Sequence, residues 1–198
     1  PAHGSAAIEF GAPMTRRTLV LLLLWLALGA GSASAQITGW VSPYVGALTG
    51  GDATTGGPVW GANTAAFEAR SWMGAELDVA RAQSYDDEGV DDSRLTTVFL
   101  NAIAAPHRAR IQPFAVAGLG LMRAEGCVRA CTTRFVDTGV AATLGAGLQV
   151  RLTDWLGVRG DLRYLRALGD HGALPRKGGG AFDLVRLSIG ATFIWPQM

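Results

Sequence analysis

The chain has 198 residues, with 17 Lys+Arg against 16 Asp+Glu and a formal net charge of +1. So even a balance provides no basic footprint for nucleic acid. Its 27 glycines follow no Gly-X-Y period, which excludes collagen, and nothing after Gln36 approaches the ~20 continuous apolar residues of a spanning helix.

Met14 is a more natural coding start than Pro1, so residues 1–13 read as upstream or appended sequence outside the fold. From Met14 come a basic start (Arg16, Arg17), an apolar run from Leu19 to Ala30, and Ala33-Ser34-Ala35. That order predicts a helical secretory signal peptide over 14–35, cleaved before Gln36. Its apolar run is too short to span a bilayer, so cleavage is favoured over an anchor. Residues 36–198 then form one domain, in which positive and negative charges balance.

Trp40–Leu48 predicts a first strand, with Pro43 awkward in its middle. Thr49–Pro58, rich in glycine and threonine, reads as a loop, and Val59–Arg70 as a second strand with a weak pattern. After a turn near Arg70-Ser71, Met73, Ala75, Leu77 and Val79 share one face of a third strand, and Glu76 and Asp78 the other. Gln83–Arg94 reads as an acidic loop, followed by a strand from Leu95 to Ala104. Pro106 and His107 mark a turn, Phe114–Met122 a glycine-rich strand, and the stretch with Cys127 and Cys131 a loop.

Phe135–Leu152 has the cleanest long alternation. Val140, Ala142, Leu144, Ala146, Leu148 and Val150 face one way, and Thr143, Gln149 and Arg151 the other. Beyond Thr153-Asp154, Leu156, Val158, Leu162 and Tyr164 alternate with Arg159, Asp161 and Arg163. Ala167–Gly180 reads as a loop. In Asp183–Trp195 every second residue from Val185 to Trp195 is apolar, with Arg186, Ser188 and Thr192 between them.

These are eight strands joined by connections that alternate long and short. An even strand count, one greasy face and two final aromatics predict an all-β fold: an eight-stranded antiparallel up-and-down transmembrane barrel. If the mature chain lives in a membrane, closed sheet is the remaining solution, because every backbone polar group must be paired in lipid. The long connections (about 49–59, 83–94, 123–134 and 167–181) then fall outside the cell and the short ones inside. The alternative is a soluble secreted or periplasmic lipocalin-like barrel that binds a ligand, with the apolar face turned inward. Periodicity alone does not separate the two.

PFAVAGLGLM, LTDWLGVRGDLRYL and the terminal SIGATFIW resemble the small outer-membrane β-barrel proteins, the porin-like group of OmpA/OmpX-type architecture. The resemblance implies a place in the cell outer membrane. It implies a structural or surface-interaction role: envelope integrity, adhesion or ligand binding through extracellular loops. The implied partners are outer-membrane lipid, lipopolysaccharide and the barrel assembly machinery, which reads a terminal aromatic; this sequence departs from that pattern, with Pro196, Gln197 and Met198 extending past Trp195.

On this face assignment Glu76, Asp78, Arg151, Arg159, Asp161, Arg163 and Arg186 point into the lumen. Eight strands enclose little more than their own side chains, so these charges are expected to pair and plug the barrel rather than line a pore. Cys127 and Cys131 suit a small loop disulfide in an oxidising compartment. The acidic run Tyr85–Glu88 with Asp91-Asp92 has oxygen ligands for a divalent cation but no calcium-loop spacing, and a solvated loop is the better reading. No metal or cofactor is expected. Lipid-modifying chemistry would need a nucleophile with a base in reach. His107 and His171 lie in a turn and a glycine-rich loop, no GxSxG elbow is present, and the chain is read as a non-enzyme.

Overall fold

The computed structural model describes residues 37–50, 53–68, 71–83, 90–106, 110–128, 133–168 and 183–195. Residues 1–35 separate as a unit of their own, and the expected leader and signal peptide lie outside the described residues. Eight strands follow one another: β1 (Ile37–Gly50), β2 (Ala53–Glu68), β3 (Met73–Gln83), β4 (Val90–Ala104), β5 (Ile111–Val128), β6 (Thr133–Arg151), β7 (Leu156–Leu168) and β8 (Asp183–Trp195). Each pairs antiparallel with the next, and β8 pairs with β1 to close the barrel. The strand count and order agree with the sequence reading, and β8 agrees to the residue.

The strands, however, run well past their expected ends. β1 and β2 are joined by residues 51–52 alone, and most of Thr49–Pro58 is strand. The acidic connection shrinks to 84–89 and the cysteine connection to 129–132, while 169–182 stays long. The expected alternation of long and short loops is therefore largely an alternation in how far the strands continue. Strands of 18 and 19 residues in β5 and β6 exceed the ~9–11 that cross a bilayer, so their excess projects past the band that lipid would cover. We call the rim at 69–72, 105–110 and 152–155 the lower rim, and the opposite one the upper rim.

The lower turns are tied by short side chains. Ser71 Oγ accepts from the amide of Met73 at 3.1 Å and donates to its carbonyl at 2.9 Å. Thr153 Oγ1 accepts from the amide of Leu156 at 3.0 Å. Hydroxyls of this kind take up the polar backbone groups that a tight turn leaves unpaired.

The β1–β8 seam carries the awkward proline. Pro43 keeps its place opposite Ala62 of β2, but the ladder toward β8 skips from Val41↔Phe193 to Tyr44↔Gly190. Proline has no N–H to give Ala191, its counterpart in this register. The Ser42 hydroxyl supplies one instead, donating to the Ala191 carbonyl at 3.0 Å and sharing a 2.9 Å hydrogen bond with Thr192 Oγ1. On the outer side Trp195 covers Gly39, its cross-strand partner, so closely that a Cβ there would fall 2.8 Å from Trp195 Cζ2. Ser42→Ala is expected to destabilise the barrel by about 1–3 kcal/mol, the cost of an unsatisfied carbonyl. Adding Pro43→Ala returns an N–H and is expected to recover most of that loss in urea unfolding; a double variant no more stable than Ser42→Ala would remove this account of the seam.

Candidate functional site

Strand alternation places Glu76 and Asp78 of β3, Arg159, Asp161 and Arg163 of β7, and Arg186 of β8 on the inner face, where all six are at most 5% exposed. Six such groups in one small volume must satisfy one another, since a buried unpaired charge costs several kcal/mol. Arg186 grips Asp78 with a two-pronged pair, Nη1 to Oδ1 at 2.9 Å and Nη2 to Oδ2 at 2.8 Å. The Tyr44 hydroxyl of β1 reaches the same carboxylate at 3.2 Å from each oxygen. Arg163 is the hub: its Nε meets Asp161 Oδ1 at 2.8 Å, Nη2 meets Glu76 Oε1 at 2.8 Å, and Nη1 lies 3.3 Å from Asp78 Oδ2. Arg159 Nη2 bridges Glu76 Oε2 at 2.7 Å and Asp161 Oδ2 at 3.0 Å. Asn101 of β4 completes Glu76, donating from Nδ2 to Oε1 at 3.0 Å. Three guanidiniums thus face three carboxylates, and the cluster is neutral as a whole.

Arg151, the seventh residue expected there, stands apart. It lies at the lower rim opposite Gly157 and makes no ion pair among the described residues. Cys127 belongs to β5, not to a loop, with its backbone opposite Asp91 and Arg134. Its side chain and Cys131 lie outside the described residues, as do the acidic run 84–89, His107 and His171.

Sequence reasoning missed the apolar half of the lumen. Above the charges lies a buried cluster that includes Leu48, Val59, Leu95, Phe99, Met122, Leu165 and Leu184. Below them lies another, built on Trp40, Phe67, Ile103, Phe114 and Val116. The interior is therefore stacked as grease, charge, grease. Aromatic rings form the boundaries: the Arg159 guanidinium sits 3.9 Å from the Phe114 ring centroid, and that of Arg186 sits 4.9 Å from the Tyr44 ring. Such contacts offset part of the desolvation of a buried guanidinium. Inward glycines make the room; at Gly147 a Cβ would run into the Phe114 ring. The signal was present in the sequence as the large residues Trp40 and Tyr44, and Leu95, Phe99 and Ile103, at every fourth position, but a reading that expected polar inner faces passes over it.

The outer face is the reverse. Leu144 is 63% exposed, Leu162 54% and Leu187 62%, with Val45, Leu100, Leu119 and Ile189 alongside them. Trp72, Trp155, Phe193 and Trp195 cluster outward toward the lower rim, and Trp60 and Tyr164 toward the upper. A continuous apolar wall between two aromatic levels, around a charged interior, is the arrangement of a barrel solvated by lipid. A soluble barrel with its grease inward, the alternative left open by periodicity, would place these leucines inside.

Solved structures bear on this architecture. The structure is similar to Neisserial surface protein A, with a TM-score of 0.58 at 14% identity over 82% of this chain and 99% of that one. It is likewise similar to the N-terminal β-barrel domain of Pseudomonas aeruginosa OprF, with a TM-score of 0.53 at 16% identity over 81% and 98% of the two chains. Ail, the attachment invasion locus protein of Yersinia pestis, matches with a TM-score of 0.54 at 13% identity over 81% and 99%. This chain has the fold of the small outer-membrane barrels. No protein-family model and no curated protein matches it. At these identities the outer-membrane barrel fold is what is shared, and the lumen network of this chain rests on its own residues.

Proposed function

We propose that this chain is an outer-membrane β-barrel protein with a structural or surface-interaction role, exercised at its upper rim, and with a lumen closed to flow. The observation that carries this reading is the inversion of faces: an apolar outer wall around three mutually neutralised ion-paired arginines. Its partners on this reading are outer-membrane lipid, lipopolysaccharide and the assembly machinery that inserts it. The three carboxylates of the central cluster, Glu76, Asp78 and Asp161, are each held by guanidiniums, which favours a binding or mechanical role over a catalytic one. Fractionation tests the location: the protein is expected in the outer-membrane pellet and to migrate anomalously in detergent gels until heated. A soluble periplasmic pool would sink the reading.

Closure of the lumen has its own test. An apolar layer lies on each side of the charges, and a narrow apolar constriction opposes ion passage by itself. Arg159→Ala is therefore expected to leave planar-bilayer conductance at background, like the unaltered protein. A steady current in the unaltered protein that changes with this substitution would make the network a gate rather than a plug.

A further inference from the structure

Where the upper apolar cluster meets the charge layer, the lumen leaves a cavity of about 10 Å³. Much of its wall is hydrocarbon: Leu48, Val59, Ala80, Ala82, Leu95 and Leu165. Thr97 of β4 and Arg186 of β8 complete it. Both are buried, Thr97 at 3% exposure and Arg186 at 1%. Arg186 gives Nη1 and Nη2 to Asp78, and among the described residues its Nε has no hydrogen-bond partner. Thr97 Oγ1 has none either. The cross-strand neighbours of Thr97 are Ala80 and Met122, and those of Arg186 are Arg163 and Leu48. No oxygen is carried by any of these side chains. An unpaired polar group is costly to bury, so two of them on the wall of one small cavity mark a place for a further hydrogen-bonding group.

We infer that this cavity is a binding site for one water molecule, which accepts from Arg186 Nε–H and shares a hydrogen bond with the Thr97 hydroxyl. Size and wall chemistry select that occupant. A water needs about 10–15 Å³ of such space, which leaves no room for a larger molecule. A halide would give up its hydration among hydrocarbon side chains, beside a guanidinium that Asp78 already neutralises. A cation would meet that guanidinium head-on. An apolar atom would suit the hydrocarbon and leave both polar groups unpaired. Thr97 then acts as a positioning residue. Through the water it ties β4 to β8 across the lumen, and a bond to Nε lies in the guanidinium plane, so it fixes the orientation in which Arg186 grips Asp78. The site belongs to the lumen and does not depend on which solvent the outer wall meets.

The test uses crystals of the full refolded barrel, one set pressurised with xenon, an apolar atom that enters dry cavities, and another soaked in bromide. In the unaltered protein one ordered water is expected within hydrogen-bond distance of both Arg186 Nε and Thr97 Oγ1, with neither xenon nor bromide in the cavity. Thr97→Val keeps the shape and removes the hydroxyl. With one polar partner left, the water is expected to bind about tenfold more weakly, and xenon to take its place. Thr97→Ser returns the hydroxyl and is expected to keep xenon out. If Thr97→Val does not fold, Thr97→Ala carries the same expectation in a wider cavity. Xenon in the unaltered protein would describe a dry cavity and overturn the inference, as would a cavity with no ordered density. Bromide there would overturn it in favour of an anion site. A water that stays on Arg186 Nε in Thr97→Val, with xenon still excluded, would remove Thr97 from the site and overturn it as well.

Discussion

Asp78→Ala is expected to lower the unfolding free energy of the barrel by about 3–5 kcal/mol, the usual penalty for removing one member of a buried ion pair. Asp78 holds Arg186 through two bonds, stands 3.3 Å from Arg163 and accepts from Tyr44. Without it three guanidiniums, each at most 2% exposed, share two carboxylates. The informative companion is Asp78→Ala/Arg186→Met. Removing a cation with the anion restores neutrality among Glu76, Asp161, Arg159 and Arg163, and the methionine can fill the volume beside the Tyr44 ring. The double variant is expected to recover at least half of the loss in urea unfolding followed by tryptophan emission. Equal instability of single and double variants would mean that Asp78 acts through shape rather than charge. A loss under 1 kcal/mol in the single variant would mean that the lumen is wet enough to solvate an unpaired arginine.

How much of this was legible beforehand depends on which strand is considered. In the middle of β6, β7 and β8 (140–150, 156–164 and 185–193) the outward row is apolar or glycine or tyrosine and the inward row is mostly glycine, hydroxyl, amide or charge, so period two stands out and the inner face can be read directly. That is why Arg159, Asp161, Arg163 and Arg186 could be placed from sequence. In β1 the two rows are Trp40, Ser42, Tyr44, Leu48 and Val41, Pro43, Val45, Ala47, both largely apolar, and the pattern carries little contrast. The cause is the layered lumen. Where a narrow barrel fills its interior with aromatic and aliphatic side chains, inward no longer means polar. Strand ends were lost for a different reason. Outside the lipid band neither face needs to be apolar, so Gly57 and Pro58 pair with Leu48 and Ala47 while their sequence reads as loop. Arg151 shows the limit of a face assignment: it shares the inner row of β6 but lies too near the rim to join the charges at mid-height. Closure of the barrel brought Glu76 of β3 to Arg159 of β7 across the lumen, and no pattern along one strand contains that.

Leu144→Arg is expected to cost about 2–4 kcal/mol when the barrel is unfolded from a bilayer, and the sign of this effect is as informative as its size. Leu144 is 63% exposed on β6, beside Ala117 and Tyr164 on the flanking strands. In water a cation at such a position is nearly neutral in cost and raises solubility, because an exposed leucine gains nothing from solvent. In hydrocarbon the same cation must drag its hydration into the bilayer or bend toward a headgroup. A second arginine separates this cause from damage to the sheet itself. Leu168→Arg, 41% exposed at the upper end of β7, lies four residues nearer the upper rim than Tyr164, the direct partner of Leu144. There it can reach headgroups, so its cost is expected to fall to about 0–1 kcal/mol. A penalty that declines from Leu144 to Leu168 in vesicles measures depth in a membrane. Equal, small effects at both positions would instead describe a wall that meets water, and the leucines on it would need another partner.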